Sequence, residues 1–132
     1  MNFVEKEPSK GDHIRVNRGF YYHHGIYIGD DKAIHFGSLT DELNPDDAVV
    51  LETSLEDFLK GGKLEVAEYS EEENKKLKSP DEIVSYAKAH LGIKGYDIIK
   101  YNCEHFANEC SFGEAKSDQV NNIFGLLSKL FR

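Results

Sequence analysis

Cys103 stands in the stretch YNCEHFANEC, behind an asparagine and two places ahead of a histidine. A thiol attacks a carbonyl only as its thiolate, so the first question is what would lower its pKa and the second is which base takes its proton. Asn102 is among the best helix N-caps. It would place Cys103 at the first helical position and Glu104 in the first turn, where negative charge is favourable. Exposed amides at such a start stabilise a thiolate, and the same amides can hold an oxyanion formed on an attacked carbonyl. Cys103, Phe106, Ala107 and Cys110 fall at i, i+3, i+4 and i+7, one buried helical face. Cys110 lacks the helix start and is expected to be a small core hydrophobe. The plain alternative for Cys103 is the same inert role.

Metal binding is the weaker reading. Cys103 and His105 are separated by one residue and point about 200° apart on a helix, so one ion could not take both. His105 is expected to make a structural hydrogen bond. A Cys103–Cys110 disulfide is also disfavoured. On one helix the two lie about 10 Å apart along the axis, beyond the roughly 7 Å a bridge allows.

Six histidines are available as base. His13, near a strand start, and His90, near a helix end, read as structural or solvated. His23, His24 and His35 cluster on a predicted hairpin, and a base with a third group to orient it is what nucleophilic catalysis wants. Alternation puts His23, Gly25 and Tyr27 on one strand face and His24, Ile26 and Ile28 on the other. A two- or four-residue loop would pair His35 with Ile26, on the His24 face. A three-residue loop or a bulge would pair it with Tyr27, on the His23 face. The local sequence leaves the choice open, and all three remain compatible with plain polar strand positions.

The elements that must position these groups follow from pattern. DHIRVNR, FYYHHGIYIG and AIHFG read as strands, with GDDK as a turn. After the polar loop SLTDELNPDD, AVVLE and KLEVAEY read as further strands. SLEDFLKGG reads as a short helix with Ser54 as cap, Asp57 at the capping-box position and Gly61 as stop. SEEENKKLK reads as a solvated loop or surface helical turn. SPDEIVSYAKAHLG carries Ser79 as cap, Pro80 at the first helical position and Gly92 as stop, with Ile83, Tyr86, Ala87, His90 and Leu91 on one face. GYDIIKY reads as a strand, NCEHFANEC as a helix, and residues of about 117–131 as a closing helix. Strands dominate the front and helices the back, which predicts an α+β domain, an antiparallel sheet packed against helices.

The 132 residues suit one domain, 1–132. With 39% hydrophobic and 30% charged residues the chain is expected to be globular. Its net charge of -8 argues against a nucleic-acid partner and against strong general attraction to anionic membranes. MNFVEKEPSK lacks the apolar core of a signal peptide, and no run of about 18 apolar residues would span a bilayer. The expectation is a cytoplasmic location with reduced thiols.

HHGIYIGDDKAIHF, followed far downstream by NCEHF, closely resembles the lecithin retinol acyltransferase family, including the small phospholipase A and acyltransferase enzymes. The likeness runs from GDHIRV through NCEHFANECSFGEAKSDQV, and combines H-x-G-I-Y, a second histidine twelve residues after the first, and NCEHF. This resemblance implies a circularly permuted papain-like fold, related to the NlpC-type peptidases, with the catalytic cysteine at a helix N-terminus. It implies Cys103 as nucleophile, His23 as general base and acid, and His35 as the orienting third member. It favours the His23 register and expects His24 to pack. Asn102 and Tyr21 match family positions near the site and are candidates for oxyanion support.

The implied activity is a thiol-dependent phospholipid acyl hydrolase or acyltransferase working through a thioester, with no cofactor and no metal. Implied partners are a phospholipid or other acyl ester, and a membrane surface touched peripherally by the C-terminal helix. A monomer is expected. The alternatives are a cysteine peptidase or amidase of the NlpC type and a non-catalytic interaction domain that keeps the fold. Membrane-bound members carry an apolar C-terminal anchor, whereas this chain ends at Arg132 with the stripe Val120, Ile123, Phe124, Leu127, Leu130 and Phe131. That helix either packs on the domain or lies on lipid. The long insertion of the retinol-specific enzyme is not evident, so retinol is not the expected acceptor.

Overall fold

The computed structural model describes residues 1–38, 45–95 and 102–113. Six strands form one sheet: β1 (Asn2–Val4), β2 (His13–Asn17), β3 (Tyr22–Gly29), β4 (Lys32–Gly37), β5 (Val49–Ser54) and β6 (Glu65–Glu68). Their order across the sheet is β1-β6-β2-β3-β4-β5, with every neighbouring pair antiparallel. Four helices accompany them: α1 (Leu55–Leu59), α2 (Glu71–Lys76), α3 (Pro80–Ala89) and α4 (Cys103–Phe112). The α+β expectation holds. GYDIIKY, except its first residue, and the closing helix lie outside the described residues.

The β3–β4 hairpin fixes the register of the histidines. Asp30 and Asp31 both take left-handed backbone, at φ 51° and 55°, and link the closing pair Gly29 and Lys32. Two positive φ values in a two-residue loop match the right-handed twist of the flanking strands, and Asp tolerates them better than most residues. The register then shifts between Tyr27 and Gly29, which sets His35 opposite Gly25. The partner is therefore Gly25 rather than Tyr27, because a bulge following a two-residue turn moves the pairing further along β3. The face is the same, and His35 lies on the side of His23.

Alternation along β3 and β4 builds two apolar layers. Ile26, Ile34 and Phe36 meet Ala87 of α3 and Phe106 and Ala107 of α4. On the other side Ile14, Val16, Ala33 and Val66 meet Phe58 of α1. Phe106, Ala107 and Cys110 of α4 are buried in this first layer together with Cys103.

Local signals explain the helix ends. The Ser54 hydroxyl accepts from the Asp57 amide at 3.0 Å, half of the expected capping box. The stop of α1 is Lys60 at φ 46°, one residue before Gly61. Ser70 and Glu73 form a complete capping box on α2, which buries nothing. In α3 the buried residues are Ile83, Val84 and Ala87. Leu91 is 42% exposed, because the helix has already ended at His90 and the face no longer continues. Sequence reasoning missed β1, a three-residue edge strand paired with β6.

Candidate active site

Asn102 starts α4 as predicted. Its backbone is extended and its side-chain oxygen accepts from the Glu104 and His105 amides, both at 3.0 Å. His105 completes the box by accepting the Asn102 amide on Nδ1 at 2.9 Å. An accepting Nδ1 must be unprotonated, and burial lowers the pKa of this ring. His105 is thus structural, as expected. The helix start is less open than its sequence suggests. Two of its first amides, those of Glu104 and His105, are already committed to the Asn102 carboxamide oxygen, so they are not spare for an oxyanion.

Cys103 is 2% exposed, and its Sγ–H points to the Tyr22 carbonyl at 3.8 Å. That contact locates the sulfur relative to the sheet. The Tyr21 carbonyl accepts from the Arg18 amide at 2.8 Å, so it faces β2. Carbonyls alternate along a strand, so the Tyr22 carbonyl faces the β4 side. There the pairing of β3 with β4 runs only as far as Gly25 and His35. Cys103 reaches the part of β3 beyond that last pair, at the residue that precedes His23.

His23 and His35 form a pair on the neighbouring part of the hairpin. His23 Nε2 lies 2.9 Å from His35 Nδ1, with the rings at 89°. Phe58 packs on both, 5.1 Å from each ring centroid. His35 continues to Thr53 on β5, with Nε2 2.9 Å from Oγ1. Exposure is 1% for His23 and 5% for His35. A buried imidazole pair ending on a hydroxyl has the parts needed to move one proton and hold a ring while it moves. The pair lies on the Phe58 face of the sheet, whereas Cys103 packs with Ile26, Ile34 and Phe36 and meets the sheet at the Tyr22 carbonyl.

Residues 6–116 match the lecithin retinol acyltransferase family. The chain belongs to that family. It is 30% identical to human phospholipase A and acyltransferase 3 over 128 residues, covering 89% of this chain and 78% of the relative. It is 28% identical to rat lecithin retinol acyltransferase over 144 residues, covering 93% of this chain and 62% of the relative. With mouse phospholipase A and acyltransferase 5 it shares 33% over 130 residues, 87% of this chain and 45% of the relative.

Within this lecithin retinol acyltransferase domain, the glycine of H-x-G-I-Y has a spatial reason. A Cβ on Gly25 would stand 2.8 Å from Phe58 and 3.1 Å from the His35 Cβ. A Cβ on Gly37 would meet the His35 ring at 3.0 Å. Two missing side chains make the room in which that ring lies.

His24 does not simply pack in apolar surroundings. Its Nδ1 lies 2.7 Å from His13 Nε2, and its Nε2 is 3.9 Å from Glu104 Oε2. Phe3 stands edge-on to both rings. Burial, reinforced by the nearby Arg15, lowers the pKa of His13 to about 3. Burial first, then His13, His23 and Arg15, lowers that of His24 well below the usual value. Both are neutral at pH 7. Glu104, His105, Asn108 and Ser111 are buried along with the apolar stripe of α4, so the helix is enclosed on nearly all sides. Cys110 is buried and free, and burial pushes its thiol pKa up, as befits a core residue.

Tyr21 is half-buried in the bend just before β3. Thr53 was missed from sequence, and so was the burial of Glu104. The available signal for Thr53 was a hydroxyl on β5 two places beyond Leu51, which pairs with His35.

Proposed function

We propose that this protein is a thiol-dependent acyl hydrolase or acyltransferase acting on acyl esters of the glycerophospholipid class. The observation that carries the reading is Cys103, at the start of α4, meeting β3 at the residue before His23, with His23 joined to His35. The family names of the relatives, phospholipase A and acyltransferase, support the substrate class.

In this reading Cys103 gives its proton to His23, and the thiolate sulfur bonds to the acyl carbonyl carbon. The ester C–O bond then breaks. The departing alkoxide takes the proton from the imidazolium, leaving a thioester on Cys103. Water attack on the thioester returns the thiol and yields a carboxylic acid. Attack by an amine or alcohol yields an amide or a new ester. No metal or organic cofactor enters these steps. The histidine hairpin precedes the cysteine helix in the chain, which supports the circularly permuted papain-like reading of the fold. Tyr21 and the Asn102 carboxamide NH2 remain the groups to test for oxyanion support, since the cap uses only the Asn102 oxygen. A monomer as the working unit is part of the proposal. Among the described residues no helix is long and apolar enough to cross a membrane. Peripheral contact with lipid through residues 117–131, at a cytoplasmic face, is part of the proposal.

Trapping the acyl-enzyme tests it. Mass spectrometry after mixing with phosphatidylcholine vesicles is expected to show one acyl adduct, on Cys103. An adduct on Cys110, or cleavage of peptides with no release of fatty acid, would overturn the reading in favour of a different role for the thiol.

A further inference from the structure

We propose that Thr53 sets which nitrogens of His35 and His23 carry protons, and so makes Nδ1 of His23 the atom that receives the Cys103 proton. The inference rests on the functional reading above and adds a positioning residue on a third strand.

The argument follows the protons. Thr53 has one hydroxyl hydrogen and two lone pairs. Its Oγ1 donates that hydrogen to the Ser54 carbonyl at 3.0 Å. Its contact with His35 Nε2 at 2.9 Å must then be one in which Thr53 accepts and the ring donates. A neutral imidazole carries one N–H, so a proton on His35 Nε2 leaves a lone pair on Nδ1. That lone pair faces His23 Nε2 at 2.9 Å, and two acceptors cannot share a hydrogen bond. Nε2 of His23 is therefore the donor, and its only remaining lone pair is on Nδ1. When Nδ1 takes the thiol proton, the imidazolium keeps its Nε2–H on His35, and no further proton has to move.

Position supports the assignment. Thr53 sits opposite Ala33 on β4, and His35 opposite Leu51, so the hydroxyl and the ring share one face at diagonal positions. Gly37 and Gly25 leave the space that lets the ring lie across that face. Without the Thr53 hydroxyl, His35 loses the acceptor that favours a proton on Nε2. With the proton on Nδ1 it would donate to His23 Nε2. The His23 proton would then sit on Nδ1, where it blocks acceptance from the thiol.

Long-range proton–nitrogen NMR of histidine-labelled protein reads the tautomers directly, without requiring turnover. The wild type is expected to show both His35 and His23 protonated on Nε2. In Thr53→Val, of nearly the same shape, His35 is expected to gain the Nδ1–H form. Its kcat for vesicle phospholipid hydrolysis should fall about tenfold or more, with KM within about twofold of wild type. Thr53→Ser keeps the oxygen and is expected to restore both the spectrum and kcat. The proposal is overturned by a wild-type His35 protonated on Nδ1, by Thr53→Val leaving the tautomer unchanged, or by Thr53→Ser behaving as Thr53→Val. A wild type with no ester turnover sinks the functional reading instead, and the imidazole spectrum alone then decides for or against Thr53.

Discussion

His23 and His24 are neighbours in the chain and live in different chemical worlds. Each bonds another histidine at similar range, 2.9 Å to His35 and 2.7 Å to His13. The His23 pair ends on the Thr53 hydroxyl, and Cys103 reaches the strand position before His23. The His24 pair faces Phe3, Arg15 and the buried Glu104, and is held neutral by desolvation. A strand turns successive side chains to opposite faces, so one residue of separation decides between the pair to which we assign proton transfer and a structural polar pair. Residue type says little here, and the partners at the far end of each pair say most.

Exchanging the two sides by mutation gives the largest expected contrast. Cys103→Ala and His23→Ala should each lower phospholipid turnover by more than about 10³-fold while folding is kept. His24→Ala should retain most of the turnover per folded molecule and lose stability instead, because it removes the buried hydrogen-bond partner of His13. Comparable losses of kcat in His23→Ala and His24→Ala would erase the distinction. Activity on vesicles and urea midpoints, measured side by side, check it.

Acid should act on the His24 side. His13 has a folded pKa near 3 against 6.5 when free, so below pH 6.5 the unfolded chain binds protons that the native chain refuses. Stability is complete above that point and falls as pH drops toward 3. Each such histidine contributes about 1.4 kcal/mol per pH unit across the window. Urea unfolding at pH 7 and pH 5 should show the loss, and His13→Phe should flatten the slope. A slope unaltered by that replacement would show that the acid sensitivity lies elsewhere.

Space around His35 gives a smaller effect. Gly37→Ala pushes only on the ring, with its Cβ at 3.0 Å. It should reduce kcat about tenfold with a shift in stability under about 1 kcal/mol. Gly25→Ala meets Phe58 at 2.8 Å as well and should cost about 1–3 kcal/mol through overpacking. Smallest of all is Cys110→Ala, a deletion in the apolar layer under α4. It should cost about 1 kcal/mol and leave turnover per folded molecule unchanged. Thermal melts and vesicle assays separate the three.

Much of this arrangement could be read from the chain. Strong local signals announced themselves: the Asn102 cap, Pro80 behind Ser79, and the aspartates of the β3–β4 turn. The His23 face was legible only through the family resemblance. The bulge that sets His35 opposite Gly25 is a tertiary compromise with no residue of its own to mark it. Glu104 reads from the sequence only as a first-turn carboxylate, and its burial depends on tertiary packing around α4. Thr53 was invisible because its role depends on β5 lying beside β4, a pairing between segments that no short window contains. β1 escaped because three residues are too few to display a period.

The sulfur and the carbonyl it meets are 81 positions apart in the chain. Closing so long a loop brings its two ends together only after the intervening sheet is in place. A polypeptide still emerging from synthesis holds its imidazoles long before it holds its thiol. On the proposed function, catalytic power should therefore switch on in a single step with complete folding, and partly made chains stay chemically silent toward lipids.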